Sequence, residues 1–345
     1  MLHWEYWPAY MFYIPNLPYA FFLAAKAKHS AFFSATNPAF KSSGNGTESK
    51  YDTIQLVPKK YRPESILHKK QTNIQQTIHK LKEQNINFPL IAKPDMGFRG
   101  LLVKKINTEK ELKTYLEKYT IDIIIQEFVD YNNECGIFYF RNPDEENGVI
   151  SSITLKKFLT VFGDGTSTMK KLILADKRAK LQIDLLSEIH QEKLFEIPKK
   201  DEEIKLSVIG NHSKGTQFIN GNHLISETLI NTFDALSKNI PGWFYGRIDL
   251  KYNDFSDIEN GSDFKILEIN GIIAEPTHIY DTQKSSYFKA LKEIRVHWKS
   301  LYDISITNHK KYNIPYKSSL EFIAEMFELR SYIKKIKRYL NLKLL

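Results

Sequence analysis

Two mostly apolar stretches, WFYGRIDLKY (243–252) and FKILEIN (264–270), read as the strands of an antiparallel hairpin joined by a polar loop, 253–263. Side chains alternate across a strand, so Glu268 and Asn270 share one face with Phe264 and Ile266. Arg247 and Asp249 likewise share a face of the first strand. If the two faces coincide, a guanidinium, two carboxylates and an amide oxygen meet at one edge. Mg²⁺ usually takes one or two carboxylates and completes its shell with water and substrate phosphates. An asparagine oxygen adds coordination without further negative charge, and Arg247 would hold a transferring phosphoryl group. A buried ion pair that merely holds the hairpin together would use the same residues. Spacing alone leaves both readings open.

The segments upstream offer companions for such a platform. PLIAKP (89–94) reads as a short buried strand carrying Lys93, and DMGFRG (95–100) follows as a loop with Gly97 and Gly100. A lysine beside a flexible glycine loop reaches phosphates while backbone N–H groups close over them. The loop is not a Walker A motif, which needs Gly-Lys-Ser/Thr, and alone it is indistinguishable from a hairpin turn. Residues 73–84 read as a helix with Ile74, Thr77, Ile78 and Leu81 on one face. Thr108 and Glu111 form a capping box for a helix through Tyr119. IDIIIQEFV (121–129) and CGIFYF (135–140) read as further buried strands. Gln126, Glu127, Phe128 and Val129 could offer backbone groups to an adenine edge, with Glu134 near ribose hydroxyls; alone they read as core. GVISSITLKKF is strand-like, FGDGTSTMKKLI is a turn leading into a helix, and helical periodicity returns near 181–193 and 228–236.

In this order, IAKP, the glycine loop, IIIQEFV followed by Glu134, GRIDL and LEIN resemble the ATP-grasp superfamily over residues 70–285. The set looks most similar to the carboxylate–amine ligases, the group of D-alanine–D-alanine ligase, glutathione synthetase and cyanophycin synthetase. GDGTST (163–168) is similar to the last of these. The resemblance implies an α+β ATP-grasp fold, two α+β lobes sandwiching a nucleotide, preceded by a short aromatic N-terminal region. The expected division is an aromatic region 1–67 that lies on a membrane surface or binds substrate, a small lobe 68–150, a large lobe 151–310 with the metal site, and a basic amphipathic helix 311–345. Carried over by position, Lys93 contacts the α/β-phosphates, and Asp95, Gly97 and Gly100 belong to the loop covering them. Gln126, Glu127, Phe128 and Val129 line the adenine, and Glu134 meets the ribose. Asp249, Glu268 and Asn270 hold two Mg²⁺ ions, Arg247 stabilises the transferring group, and Lys156 or Lys157 adds a second phosphate contact.

The implied activity is ATP-dependent joining of a small-molecule carboxylate to an amine through an acyl phosphate. Two other readings share the ATP-side residues: a phosphotransferase, and a membrane-associated nucleotide-binding module without ligase activity. After LEIN the chain runs GIIAEPTHIYD, without the Pro-Gly continuation common in D-alanine–D-alanine ligases, and DMGFRG replaces their serine-rich loop. GNHSKGT (210–216) and EPTHIYD (275–281) are expected beside the platform. His212, Ser213, Lys214, Glu275 and His278 are therefore the candidate substrate contacts, with ordinary loop structure as the competing account.

Composition bounds the rest. Among 345 residues, 42% are hydrophobic, enough for a large core in two or three lobes. The single cysteine, Cys135, excludes an internal disulfide framework and suits a reducing, cytoplasmic setting. A formal charge of +9 draws a chain toward polyanions, yet no recognised nucleic-acid motif is present and no nucleic-acid partner is expected. Residues 7–25 contain no charge, a run long enough to cross a bilayer if helical, but Pro8, Pro15, Asn16 and Pro18 break the helical pattern. No basic stretch precedes it as in a secretory signal. In YIKKIKRYLNLKLL, Ile333, Ile336 and Leu340 fall on one helical face with the basic residues largely off it. Both ends thus fit either an anionic membrane surface on the cytoplasmic side or docking onto the protein itself. The oligomeric state is not legible.

Overall fold

The computed structural model describes residues 4–97, 100–207 and 210–339. The chain divides into two compact units, Met1–Thr154 with Asn220–Leu345, and Leu155–Ile219.

The first unit begins with helices α1 (Tyr10–Tyr13) and α2 (Leu17–Ala27), joined by a tight 3-10 turn. The uncharged segment is divided, as its prolines predict: Pro8 lies ahead of α1, and Pro15 and Asn16 fall in the 3-10 turn between α1 and α2. Pro15 and Pro18 each occupy the first turn of a helical element, where the missing N–H has no intrahelical partner to lose. Asn16 is fully buried, donating to the carbonyls of Phe12 (3.1 Å) and Leu291 (3.3 Å) and accepting from Arg295 (2.6 Å). Helix α3 (Lys50–Gln55) and strand β1 (Ser65–His68) follow.

A four-stranded antiparallel sheet of order β1-β4-β2-β3 follows, built with β2 (Leu90–Pro94), β3 (Lys104–Ile106) and β4 (Ile123–Glu127). Helices α4 (Ile74–Glu83) and α5 (Glu109–Lys118) pack on it through Leu81 and Leu112. Asn73 caps α4 and Thr108 caps α5. The returning arm of the expected capping box differs, because Glu111 accepts from the N–H of Asn107 rather than Thr108.

A larger sheet has the order β11-β10-β5-β6-β9 and comprises β5 (Asn133–Phe140), β6 (Val149–Lys157), β9 (Gln217–Asn220), β10 (Tyr245–Tyr252) and β11 (Phe264–Asn270). The chain leaves the first unit along β6 and re-enters it at the end of β9. The second unit holds the hairpin β7 (Thr160–Phe162) and β8 (Glu203–Lys205) and helices α6 (Met169–Ala175) and α7 (Ile183–His190) around Leu159, Met169, Ile173 and Leu186. Thr168 caps α6, and Asp164 closes the preceding turn by accepting from the N–H groups of Thr166 and Ser167, so GDGTST is a helix entry.

Back in the first unit, α8 (Glu227–Lys238) precedes β10, and the β10–β11 connection contains a capped helical turn, α9 (Phe255–Glu259), within the loop read as polar. Helix α10 (Tyr287–Tyr312) packs against the N-terminal segment through Leu301, Tyr302 and Ile304, together with Leu23 and Phe32. Helix α11 (Ser319–Tyr339) buries Ile336 in the core of the four-stranded sheet beside Leu81, Ile106 and Ile123. Of the expected apolar stripe, Ile336 is thus docked within the protein and Ile333 is half-buried. Leu340 of that stripe lies outside the described residues. Among the described residues no helix is long and apolar enough to cross a membrane.

Candidate functional site

The hairpin register answers the question posed by the alternating polar residues. Arg247 stands opposite Asn270 and Asp249 opposite Glu268, so all four share one face. The Arg247 guanidinium forks onto Asp249, Nη2 at 2.9 Å from Oδ2 and Nε at 3.1 Å from Oδ1, while Asn270 donates to the same carboxylate at 3.1 Å. Asp249 and Asn270 are almost fully buried. On the other side of β10, Asp249 faces Gly136 of β5. A Cβ at Gly136 would lie 3.0 Å from both Arg247 Cδ and Asp249 Oδ1, so the strand is bare where the fork needs room. A β-bulge between Asp249 and Leu250 shifts the register just beyond the site.

Two lysines converge on this face. Lys50, the first residue of α3, forms an ion pair with Glu268. Lys93 crosses from β2 to donate to the Leu267 carbonyl of β11 (3.2 Å) and to Gln126 Oε1 (3.1 Å). Burial pushes the Lys93 ammonium down to about 8, with Glu268, Glu134 and Asp249 opposing the shift. Burial alone would raise the Glu268 carboxyl, but Lys50 and then Lys93 hold it below the usual carboxylate range. Lys50 is not among the candidate residues that the sequence motifs single out. Its placement comes from packing. Ile272 and Ile273, just after β11, donate to the carbonyls of Ser43 and Gly44 at 3.0 and 3.1 Å, and Gly44 abuts Gly271 so closely that a Cβ would meet it at 2.7 Å. That brings the N-terminal segment to the end of the LEIN strand.

The remaining residues of the first unit fall as follows. Asp95 accepts from Ser49 Oγ (3.0 Å) and the Tyr51 N–H (2.9 Å), so its carboxylate fastens the start of α3. Gly97 faces the Lys50 side chain, where a Cβ would stand 3.0 Å from Cε, and Gly100 has φ +70°. Phe98 and Arg99 of the same loop lie outside the described residues. Gln126 is buried at the end of β4, and its Nε2 has no hydrogen-bond partner among the described residues. Glu127 is exposed and its N–H donates to the Glu64 carbonyl; Phe128 lies under the Lys105 ammonium at 3.7 Å; the Val129 carbonyl accepts from Lys251 at 2.9 Å. Glu134 is buried on β5 directly opposite Lys251.

Glu275 accepts from the hydroxyls of Tyr13 and Tyr280, and its backbone carbonyl receives Arg247 Nη1 at 3.1 Å. Tyr13 lies in α1, so the aromatic N-terminal region reaches this edge directly. His278 is buried, its Nδ1 has no partner among the described residues, and desolvation lowers its pKa to about 4. His297 of α10, enclosed by Phe138, Phe140 and Tyr245, is lowered to about 3 by burial and by His278.

Lys156, Lys157, His212, Ser213 and Lys214 belong to the second unit. Lys156 and Lys157 end β6, and Lys157 is exposed. Residues His212–Lys214 form one 3-10 turn with His212 edge-on to Phe218, and burial lowers the Lys214 ammonium.

Among the described residues no cluster of three or more His, Cys, Asp or Glu side chains forms a metal centre. The hairpin set is of another kind, two carboxylates and an amide oxygen, all hard donors on one face. That chemistry fits Mg²⁺, which needs few protein ligands when phosphate supplies the others.

Residues 47–192 match the family model described as RimK-like ATP-grasp domain, a span that includes Lys50, Lys93, Gln126 and Glu134. The architecture is the α+β ATP-grasp fold. Solved structures similar to the chain include a bifunctional glutathione synthetase from Pasteurella multocida (15% identity, 70% of this chain and 35% of that one, TM-score 0.36). Also similar are the VanG D-Ala:D-Ser ligase from Enterococcus faecalis (16%, 75% and 60%, TM-score 0.41) and a D-alanine–D-alanine ligase from Bacillus anthracis (16%, 75% and 65%, TM-score 0.40). The chain thus spans between 35% and 65% of the length of these proteins. No curated protein matches its sequence.

Proposed function

We propose that this ATP-grasp chain is an ATP-dependent ligase that joins a carboxylate to an amine on the edge formed by β10 and β11. The observation that carries the reading is the register itself. It sets Asp249 across from Glu268 and Arg247 across from Asn270, with the ammonium groups of Lys50 and Lys93 brought to the same strands. Asp249, Glu268 and Asn270 would hold Mg²⁺, which when bound neutralises the triphosphate oxygens. Lys50 and Lys93 would meet those oxygens from the N-terminal side. Gln126, with a buried amide nitrogen that lacks a protein partner, supports the adenine assignment.

In the proposed reaction a substrate carboxylate attacks the γ-phosphorus, giving an acyl phosphate and ADP. The substrate amine then attacks the acyl carbon, releasing inorganic phosphate and a proton as the amide forms. No protein nucleophile is required. Arg247, fixed by its fork on Asp249 and its bond to the Glu275 carbonyl, presents a planar cation that cannot deprotonate where charge develops. A phosphotransferase would share every one of these residues and differ only in product.

The test is a screen of carboxylate and amine pairs with Mg–ATP, reading ADP and phosphate release and the mass of the product. The ligase reading expects an amide, with turnover abolished by chelation and reduced at least about a hundredfold in Asp249→Asn, since removing one charge-stabilising group costs on the order of 10²–10³ in rate. A phosphorylated end product would establish the phosphotransferase instead. Tight Mg–ATP binding without turnover on any pair would leave only a nucleotide-binding module.

A further inference from the structure

Most charges around the platform have a partner of opposite sign. Asp249 is matched by Arg247 and Glu268 by Lys50. Glu275 has no cation in salt-bridge contact among the described residues. Its two oxygens are held by phenols, Oε1 by Tyr13 and Oε2 by Tyr280 at 3.2 Å. An ionised carboxylate offers about four lone-pair positions, so two neutral donors leave about half of its acceptor capacity. The carboxylate is half-buried, which strengthens any charge-assisted bond made to it. Tyr13 is pushed far above the usual phenol range, first by burial and then by Glu275, so it stays a proton donor throughout the working pH range. Tyr13 is itself immobilised, stacked on Trp298 with ring centroids 6.2 Å apart. Glu275 is also fixed relative to the reacting edge, because Arg247 Nη1 bonds its backbone carbonyl at 3.1 Å.

We propose that the Glu275 carboxylate, oriented by Tyr13 and Tyr280, is the recognition point for a primary ammonium group on the acceptor substrate. This rests on the ligase reading for its chemical meaning, but as a binding site it stands alone. The partner is defined by its charge and hydrogen count: an ammonium donates three hydrogens, of which the carboxylate takes one or two. Amino acids and aliphatic polyamines belong to that class; alcohols, thiols and N-acylated amines do not. Tyr13 acts here as a positioning residue, which gives the aromatic N-terminal region a place in substrate recognition.

The test uses the full chain and a probe set of the common amino acids, putrescine and spermidine, each paired with the form acetylated on every amine. Stabilisation on heating identifies binders, and calorimetry gives their Kd, with Mg–ATP affinity measured in parallel. The expected result is that at least one free-amine probe binds and its N-acetylated counterpart does not. Glu275→Gln, which keeps shape and can still accept from the tyrosines, should weaken that probe about tenfold or more, as the loss of a charge-assisted bond does. Tyr13→Phe should weaken it by a smaller factor while leaving the Kd for Mg–ATP unchanged, which a general packing defect would not do. The proposal is overturned if no probe binds a chain that does bind Mg–ATP, if N-acetylation makes no difference, or if Glu275→Gln retains full affinity. If a probe binds as expected and Mg–ATP does not, the ammonium site stands and the ligase reading falls.

Discussion

Single side chains at the platform have little room to change. Gly136 sits across from Asp249 with no space for a methyl group, so Gly136→Ala must push the Arg247–Asp249 fork aside. It should cost about 1–3 kcal/mol in stability, as overpacking does, and weaken Mg–ATP binding; melting temperature and calorimetry measure the two. The buried pair His278 and His297 makes a second prediction. Both are lowered by burial, to about 4 and about 3, from the 6.5 of an exposed imidazole. As pH falls, the unfolded chain takes up these protons first, so stability is lost from pH 6.5 downward until the folded groups titrate. At pH 5 each histidine should cost on the order of 2 kcal/mol relative to neutral pH. Urea midpoints at pH 7 and pH 5 should show that drop, and His297→Leu should remove a large part of it. An unchanged midpoint would mean that the rings are solvated or paired in solution.

At the scale of elements, what was legible in the sequence is what local pattern controls. The alternation in GRIDL and FKILEIN gave the faces of β10 and β11, apolar periodicity gave α4, and the cap at Thr108 gave the start of α5, because a short polar side chain satisfies N–H groups where a helix begins. Lys50, Gly136 and Tyr13 were not legible. Each acquires its place through a partner 218, 113 or 262 positions away, Glu268, Asp249 and Glu275 respectively, and no local rule reports that. Pro15 and Pro18 were legible as breaks in one long helix, but not that each would begin a short helical element of its own. The C-terminal stripe read equally well as lipid-facing or docked, and burial decides for docking at Ile336. Ile336→Ala should then cost about 2–5 kcal/mol and raise amide exchange in β2 and β4, whose core it completes. Exchange confined to α11 itself would show that the helix is dispensable to that sheet.

For the whole molecule, the unusual quantity is an exposed apolar face on a strongly cationic chain. Tyr10, Ile14, Leu17 and Phe21 follow one another at helical spacing across α1 and α2, each at least 41% exposed, while Phe12, Asn16 and Leu23 anchor the other side. If the chain meets an anionic bilayer, as its formal charge of +9 invites, this face would make the contact, with aromatic rings at headgroup depth. The full chain should sediment with phosphatidylserine-containing vesicles, and Phe21→Ser with Phe22→Ser should release it without changing Mg–ATP affinity. Persistence in the supernatant with wild-type protein would remove the membrane from the account.

Glu325 of α11 ties down the segment that delivers Lys50. It accepts from Ser42 Oγ (2.7 Å) and Asn45 Nδ2 (2.9 Å) and pairs with Lys317. The consequence concerns biosynthesis. A nascent chain displays every recognisable motif by the time Asn270 leaves the ribosome, yet the clasp that steadies Lys50 against Glu268 is translated dozens of codons later. The grip of Lys50 on Glu268 is thereby deferred until α11 has been made, and a fragment ending before the clasp would keep the signature while losing the grip.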